Sequence, residues 1–242
     1  MKILSRRVLR ALERFNATYP WDHNAHYHRW ILRQLPPRFH RALDVGSGSG
    51  DLARLLARRA DSVRAVDSDP EITAQARRLT PSSLPVTFTV ADARAELPAG
   101  PYDVITCVAT IHHVPFAQTL ARFRRHLAPG GTLVAVGLSR AQSPADHLLG
   151  AIAVPANAVT GWLKNKGRPS QRPVAMTAAT RPADMAFGDI AREAGEILPG
   201  ARLRRRLFWR YTLVWNQRPP RASRPATPRT IRQGAGKEST TP

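Results

Sequence analysis

Two features of this sequence could do chemistry on a ligand: a run of glycines beginning directly after an acid, and further acids spaced downstream of it. Asp44-Val45-Gly46-Ser47-Gly48-Ser49-Gly50 places three glycines at alternate positions. Glycine lets a backbone turn tightly from strand to helix, and lets a ligand approach where a Cβ would stand in the way. A helix opening after such a loop points its unpaired N–H groups at whatever sits there, favouring an anionic group such as a carboxylate. By itself the loop fits a turn with no ligand, or a dinucleotide-binding loop of the G-x-G-x-x-G type. For the latter Asp51 stands where the third glycine belongs.

The downstream acids sharpen the reading. Asp67, followed by Ser68, ends a second apolar run 17 residues after Gly50. An acid there can accept both hydroxyls of a ribose in a nucleoside-binding α/β fold. Ala91-Asp92-Ala93 ends a third run, and an ionised carboxylate there could accept the exocyclic amine of adenine. Any one of these acids could instead be a solvent-facing loop residue or a helix cap, as Asp69-Pro70 looks to be. Three such features in order, each at the C-terminal end of a strand, match where ligands bind in open α/β sheets.

The elements that must hold these residues can be read from hydrophobic periodicity. Between Arg41 and Leu138 short apolar runs alternate with apolar residues at helical spacing. Strands are expected at Arg41–Val45, Ser62–Asp67, Val86–Ala91, Tyr102–Val108 and Thr132–Gly137, with helices at Asp51–Arg59, Pro70–Arg78 and Pro115–Leu127. Such alternation predicts parallel strands with right-handed crossovers, an α/β sandwich. Ahead of it, Lys2–Phe15 and Asp22–Leu35 read as helices, the second ended by Pro36-Pro37. Behind it come an uncharged apolar stretch, His147–Leu163, which Pro155 should interrupt, and a helix at Pro182–Ile197. Two strands, Ala201–Leu207 and Trp209–Trp215, close the series with almost no loop between them. The implied organisation is an N-terminal helical cap at 1–38, a main domain at 39–216 with an inserted substrate-side segment at 139–182, and a basic tail at 217–242 expected to be disordered.

Composition excludes several classes. In 242 residues, 43% hydrophobic, there is material for one full-sized core. There is no run of 18 apolar residues to span a bilayer, and Met1–Arg10 lacks the apolar region of a secretory signal. Cys107 is the only cysteine, so an internal disulfide is excluded and a thiolate zinc site is not expected. These signs point to a cytoplasmic protein. The net charge is +20, yet the 37 basic residues are spread along every segment rather than gathered on a stripe. A nucleic-acid footprint should concentrate, so an arginine-biased composition with no binding role is the plainer reading.

At this point the chain resembles the class I S-adenosylmethionine-dependent methyltransferases, in particular their broad small-molecule group. The resemblance is carried by Leu43–Gly50, by Ala65-Val66-Asp67, by Ala91-Asp92-Ala93, by Tyr102–Val114 and by Leu127-Ala128-Pro129-Gly130-Gly131, so it covers about residues 40 to 138. It implies a Rossmann-like, mostly parallel sheet with an antiparallel closing strand at Trp209–Trp215, and S-adenosyl-L-methionine as cofactor. Cofactor contacts are then expected from Asp44, Gly46, Ser47, Gly48, Gly50, Asp67, Ser68, Asp92 and Ala93. A further cofactor contact is expected from Ala109, in the loop beside the transferred methyl. His112 and His113, in the same loop, invite a general-base role, against packing on the cofactor and capping of the loop.

The stretch from Tyr19 to Trp30 holds three histidines and four aromatics, but no carboxylate or thiol pattern completes a metal site there, and no metal is expected. Methyltransferases of this type often carry an N-terminal cap, so Tyr27 and His26 are expected to reach the cofactor. His147–Leu163 lies where the family inserts substrate-recognition elements. It could pack on the sheet, wall an apolar acceptor site, or sit on lipid with Lys164, Lys166 and Arg168 at the headgroups. The function implied is methyl transfer to a small, apolar or aromatic metabolite. RNA methylation, suggested by charge, and a non-catalytic module that binds S-adenosylmethionine or another nucleoside stand as alternatives. A nicotinamide-dependent oxidoreductase is disfavoured by the glycine spacing.

Overall fold

The computed structural model describes residues 6–176 and 182–218. The expected tail therefore lies almost wholly outside the described residues, as does the start of the first helix. Seven strands form one sheet: β1 (Phe39–Val45), β2 (Ala60–Asp67), β3 (Val86–Val90), β4 (Tyr102–Val108), β5 (Leu127–Leu138), β6 (Arg202–Arg206) and β7 (Arg210–Asn216). Their order is β3-β2-β1-β4-β5-β7-β6. The first five run parallel, and β7 inserts antiparallel between β5 and β6. From β1 the chain builds outward to β3, then returns to start again at β4. The crevice beyond the carboxyl ends of β1 and β4 is thus the topological switch point, where such sheets bind ligands.

Side-chain alternation explains the layers. Leu43, Val45, Ile105, Cys107, Leu133 and Ala135 face one core, completed by α5 (Phe116–His126) and α7 (Phe187–Ile197). Ala42, Val63, Ala65, Val104, Val134 and Val136 face the other, completed by α2 (His28–Gln34), α3 (Asp51–Leu56) and Ala76 of α4 (Pro70–Arg78). A parallel sheet covered on both faces needs such near-continuous apolar strands. Asp44 and Thr106, paired across β1 and β4, are polar yet both buried.

Several boundaries differ from the periodicity for local reasons. The helix expected at Asp22–Leu35 is a 3-10 turn, Ala25–Tyr27, followed by α2. The Asp22 carboxylate takes the N–H groups of Asn24 and Ala25 and sets the turn. The helix expected from Pro182 begins at Phe187, because Ala186 forms a bridge with Arg140 and the Met185 carbonyl accepts the Arg140 N–H. β5 extends back to Leu127, where it pairs with Tyr102 across a register shift.

Pro155 does not break its helix: α6 (Pro144–Lys164) runs through it. An interior proline forfeits a backbone bond and crowds the preceding turn, at about 3 kcal/mol. Two features offset this. Ser143 and Asp146 form a reciprocal capping box at the first turn. The face made by Ala153, Asn157 and Gly161 packs closely on the segment Tyr19–Trp21, and α1 (Arg6–Thr18) packs alongside.

The β6–β7 turn, Leu207-Phe208-Trp209, puts two consecutive aromatics in the left-handed region, with φ of 60° and 58°. That conformation costs roughly 1–2 kcal/mol per non-glycine residue. Burial of Phe208, edge-on to Trp21 at 4.9 Å and to His26 at 5.4 Å, holds it in place.

Candidate functional site

The glycine run bridges β1 and α3. Gly46 and Ser47 donate their N–H groups to the Val66 carbonyl at 2.8 and 3.0 Å, tying the loop to the end of β2. Gly46 has φ +71°, and a Cβ built there would overlap Thr110, whose own Cβ would lie only 2.5 Å away. The β1 loop and the β4 loop touch at this point, and only a residue without a side chain permits the contact. Gly48, at φ +51°, has nothing within 4 Å of where a Cβ would be, so its backbone lies open to an approaching ligand.

Asp67 is held from two sides. Its Oδ2 accepts the Gly48 N–H at 2.8 Å and its Oδ1 the Asp69 N–H at 3.0 Å, which fixes the carboxylate beside the loop. Asp69 itself caps α4 through the N–H groups of Glu71 and Ile72. Ser68 between them is exposed. Asp92, beyond β3, grips Arg94 through both carboxylate oxygens at 3.1 and 2.9 Å from Nε. Those bonds hold its pKa below the usual range, so it stays an ionised acceptor. Ala93 is buried next to it. Ala109 sits at φ 53° with its N–H on the Val136 carbonyl at 2.7 Å, a left-handed turn that swings the chain off β4.

An open cleft lies at the switch point. Asp44, the loop from Gly46 to Ser49, and Val108 form its floor and one side, while Asp22, Asn24 and His28 reach in from the N-terminal segment. Asp44 is the singular group. Thr106 donates to its Oδ1 at 2.7 Å, while Oδ2 is buried with no hydrogen-bond partner among the described residues. Burial drives its pKa from 3.8 up to about 7, with the negative charge of Asp67 adding to the rise and the Thr106 bond opposing it.

A pH dependence follows from Asp44. Between 3.8 and about 7 the folded state holds the Asp44 proton that the unfolded chain releases. Its contribution to stability is therefore complete below the lower value and is lost as pH rises through the upper one. Thermal melts of the ligand-free protein should show Asp44→Asn gaining stability relative to the parent as pH rises across that window. A difference between the two proteins that does not change with pH would place the orphaned carboxyl elsewhere.

The N-terminal segment corrects one expectation. Tyr27 does not line the cleft: its ring is buried in the core and its hydroxyl donates to the Leu207 carbonyl at 2.7 Å. Burial pushes its pKa up to about 12. His26 packs edge-on against Trp21, Tyr27 and Phe208. His28, one position past Tyr27, is the histidine that reaches the cleft, and burial lowers its pKa against the pull of Asp22 and Asp51. The other histidine of the stretch, His23, meets Asn157 Oδ1 of α6 at 2.7 Å, beside the bond from Trp21 Nε1 to the same oxygen. Among the described residues no group of histidines, cysteines and acids could hold a metal ion.

A second cleft is lined by the residues that follow Thr110 in the β4 loop. Ile111, Val114, Phe116, Leu138, Met185 and Ile190 supply most of its wall, with His112, Asp184 and Tyr211 as its polar groups. The His112 and His113 rings lie 4.0 Å apart, tilted by 39°, in the 3-10 turn Ile111–His113. No residue of α6 lines either cleft.

Comparison with known proteins agrees with this geometry. Residues 42–131 match the family described as a methyltransferase domain. An uncharacterized methyltransferase of Mycobacterium tuberculosis is 31% identical over 201 residues, 81% of this chain and 96% of that protein. The trans-aconitate 2-methyltransferase of Streptomyces avermitilis is 36% identical over 141 residues, 54% of this chain and 52% of that one. Among solved structures, the N-methyltransferase NodS of Bradyrhizobium japonicum, in complex with S-adenosyl-L-homocysteine, superposes with a TM-score of 0.55 at 16% identity, over 86% of this chain and 97% of NodS.

Proposed function

The chain belongs to the class I S-adenosylmethionine-dependent methyltransferases, and from that premise we propose that its acceptor is a small, apolar or aromatic metabolite. The observation that carries the proposal is the second cleft, whose wall is mostly apolar and whose few polar groups are His112, Asp184 and Tyr211. A pocket of that kind binds a compact acceptor through a dry wall and a few orienting groups.

The cofactor cleft fits its ligand by chemistry. S-adenosylmethionine is an amino acid joined to a nucleoside, and it supplies an electrophilic methyl group. The orphaned Asp44 Oδ2 suits its ammonium group, and the open backbone at Gly48 suits close approach of its body. Asp67 is assigned the ribose hydroxyls, with Ser68 beside it. Asp92 is assigned the adenine amine, with Ala93 against the ring, and the Arg94 pair must then share the carboxylate. Ser47, Gly50 and Ala109 shape the loops around the ligand. His28, Asp22 and Asn24 cover it from the N-terminal side in place of Tyr27. His112 is assigned to orient the acceptor and receive its proton, with His113 beside it. Methyl transfer to a good nucleophile runs mainly on such positioning. The segment before β1 acts as a cap on the main domain.

Turnover can be followed by release of S-adenosylhomocysteine with hydroxylated aromatic acids and quinols, and in parallel with RNA. Turnover is expected with one of the small aromatic compounds and not with RNA. Methylation of RNA at a defined position, with none of the small compounds turned over, would overturn the proposal. The spread of charge supports the same reading. Several arginines are occupied within the fold, as Arg59 on the Leu32 carbonyl, Arg122 on Ala93 and Arg94, and Arg205 on Asp146.

A further inference from the structure

Helix α6 is built inside out. Its small and polar positions, Ala153, Asn157 and Gly161, are the buried ones. Five of its large apolar side chains face solvent, with Leu149 and Val154 half-buried at the flanks: Leu148, Ile152, Val159, Trp162 and Leu163 each remain 46–64% exposed. These positions recur at helical spacing, and the exposed Ala151 and Pro155 fill the gaps between them. At 1.5 Å per residue the strip is about 22 Å long. From His147 to Leu163 it carries no Asp, Glu, Lys or Arg. A surface helix normally turns its apolar stripe inward, so an apolar stripe of this length turned outward marks a binding surface.

We propose that this face docks the protein on an anionic phospholipid surface. Charge complementarity selects that occupant. At the Trp162 end the chain turns through Lys166 and Gly167, with the Gly167 N–H on the Trp162 carbonyl, and the exposed Lys166 and Arg168 follow the tip of the strip, while Lys164 reaches back over the Trp21 ring. Neighbouring α1 exposes Arg7, Arg10 and Arg14 against a single acid, Glu13. At the other end Asp146 is neutralised by Arg205 at 2.8 Å. An apolar strip with an aromatic and basic residues at its rim is the layout of a helix lying in the headgroup boundary. A second copy of the chain is the poorer occupant, because it would bring the same basic rim, and a chain of net charge +20, against itself. No described helix is long and apolar enough to cross a membrane, so α6 lies on the surface rather than through it. The inner face of α6 holds Trp21 and His23 through Asn157, next to Asp22 and Asn24 of the cofactor cleft, so docking would seat the cap against the bilayer.

The test is flotation of the full chain with vesicles of equal parts phosphatidylcholine and phosphatidylglycerol, against phosphatidylcholine alone. The parent should float with the anionic vesicles only. Ile152→Glu with Val159→Glu should lower the partition coefficient at least about tenfold, with melting temperature and S-adenosylhomocysteine affinity unchanged. Lys166→Glu with Arg168→Glu should also weaken the anionic binding. Three results would overturn the proposal: no flotation of the parent, equal flotation of parent and Ile152/Val159 variant, or a solution dimer that the same variant dissociates. The second would assign binding to net charge alone, the third to a second copy.

Discussion

Gly46→Ala is expected to reduce S-adenosylhomocysteine affinity at least about 100-fold, a loss of about 2.7 kcal/mol. The added methyl meets Thr110 at its Cβ, 2.5 Å away, and at its Cγ2, 2.7 Å away, so no rotation of the threonine clears it. The φ of +71° adds a left-handed strain of roughly 1–2 kcal/mol that only glycine escapes. Either the β4 loop retreats or the glycine loop leaves the Val66 carbonyl, and both movements dismantle the cleft. Gly48→Ala separates packing from ligand contact. It bears similar backbone strain but meets no atom within 4 Å, so its melting temperature should fall less than that of Gly46→Ala. Its cofactor affinity should still drop, because the methyl stands in the ligand's path. Partial rescue of Gly46→Ala by Thr110→Gly would confirm the clash as the cause. Calorimetric titration and thermal melts report both quantities, and parental affinity in Gly46→Ala would refute the placement of the loop.

The second large effect is expected at Asp67. Asp67→Ala removes the acceptor assigned to the ribose and the anchor for the Gly48 and Asp69 N–H groups. Hydrogen bonds to a charged group contribute about 1.5–3 kcal/mol, so affinity should fall by roughly 10- to 150-fold. Asp69→Ala, two residues on, should leave affinity within about twofold while costing about 1 kcal/mol of stability through the lost α4 cap. The contrast is the diagnostic part. If titrations show the two substitutions weakening S-adenosylhomocysteine equally, the ribose has been placed wrongly.

What could be read from the sequence was whatever local chemistry dictates. The α4 boundaries, Pro70 and Arg78, follow from an Asp cap, a proline in the first turn and apolar residues at helical spacing, and the structure has the same limits. β4 likewise runs from Tyr102 to Val108 as its apolar run predicts. The glycine run and the acids Asp67 and Asp92 stand at strand ends because loop chemistry is written in adjacent residues. The N-terminal segment was legible as rich in histidines and aromatics, but not in its orientation. Tyr27 turns away and His28 turns in because the Leu207 carbonyl, 180 residues later, takes the tyrosine hydroxyl. The Asp92–Arg94 pair was overlooked although its two partners are only two residues apart. For α6, an uncharged run looks apolar all round, and its inward face is chosen by close approach at Gly161, where a Cβ would come within 2.5 Å of the Tyr19 carbonyl oxygen. Pro155 lies on the exposed side, where water can reach the Ala151 carbonyl that its missing N–H leaves free.

The strained turn at Phe208 and Trp209 sets an order of events at the ribosome. The cap residues Trp21 and Tyr27 leave the exit tunnel early, yet their partners, the Phe208 ring and the Leu207 carbonyl, are made some 180 residues later. At roughly 5–20 residues per second this interval lasts about 10–40 s. During it the sheet can assemble from β1 to β5 and α6 can take up Trp21 and His23, while the side of the segment that meets Phe208 and Leu207 stays uncovered. β7 then threads between β5 and β6, and the last hairpin closes the cap from behind. Destabilising that hairpin tip would prolong the exposed interval, so its effect on yield in cells should exceed its effect on the melting temperature of the finished protein.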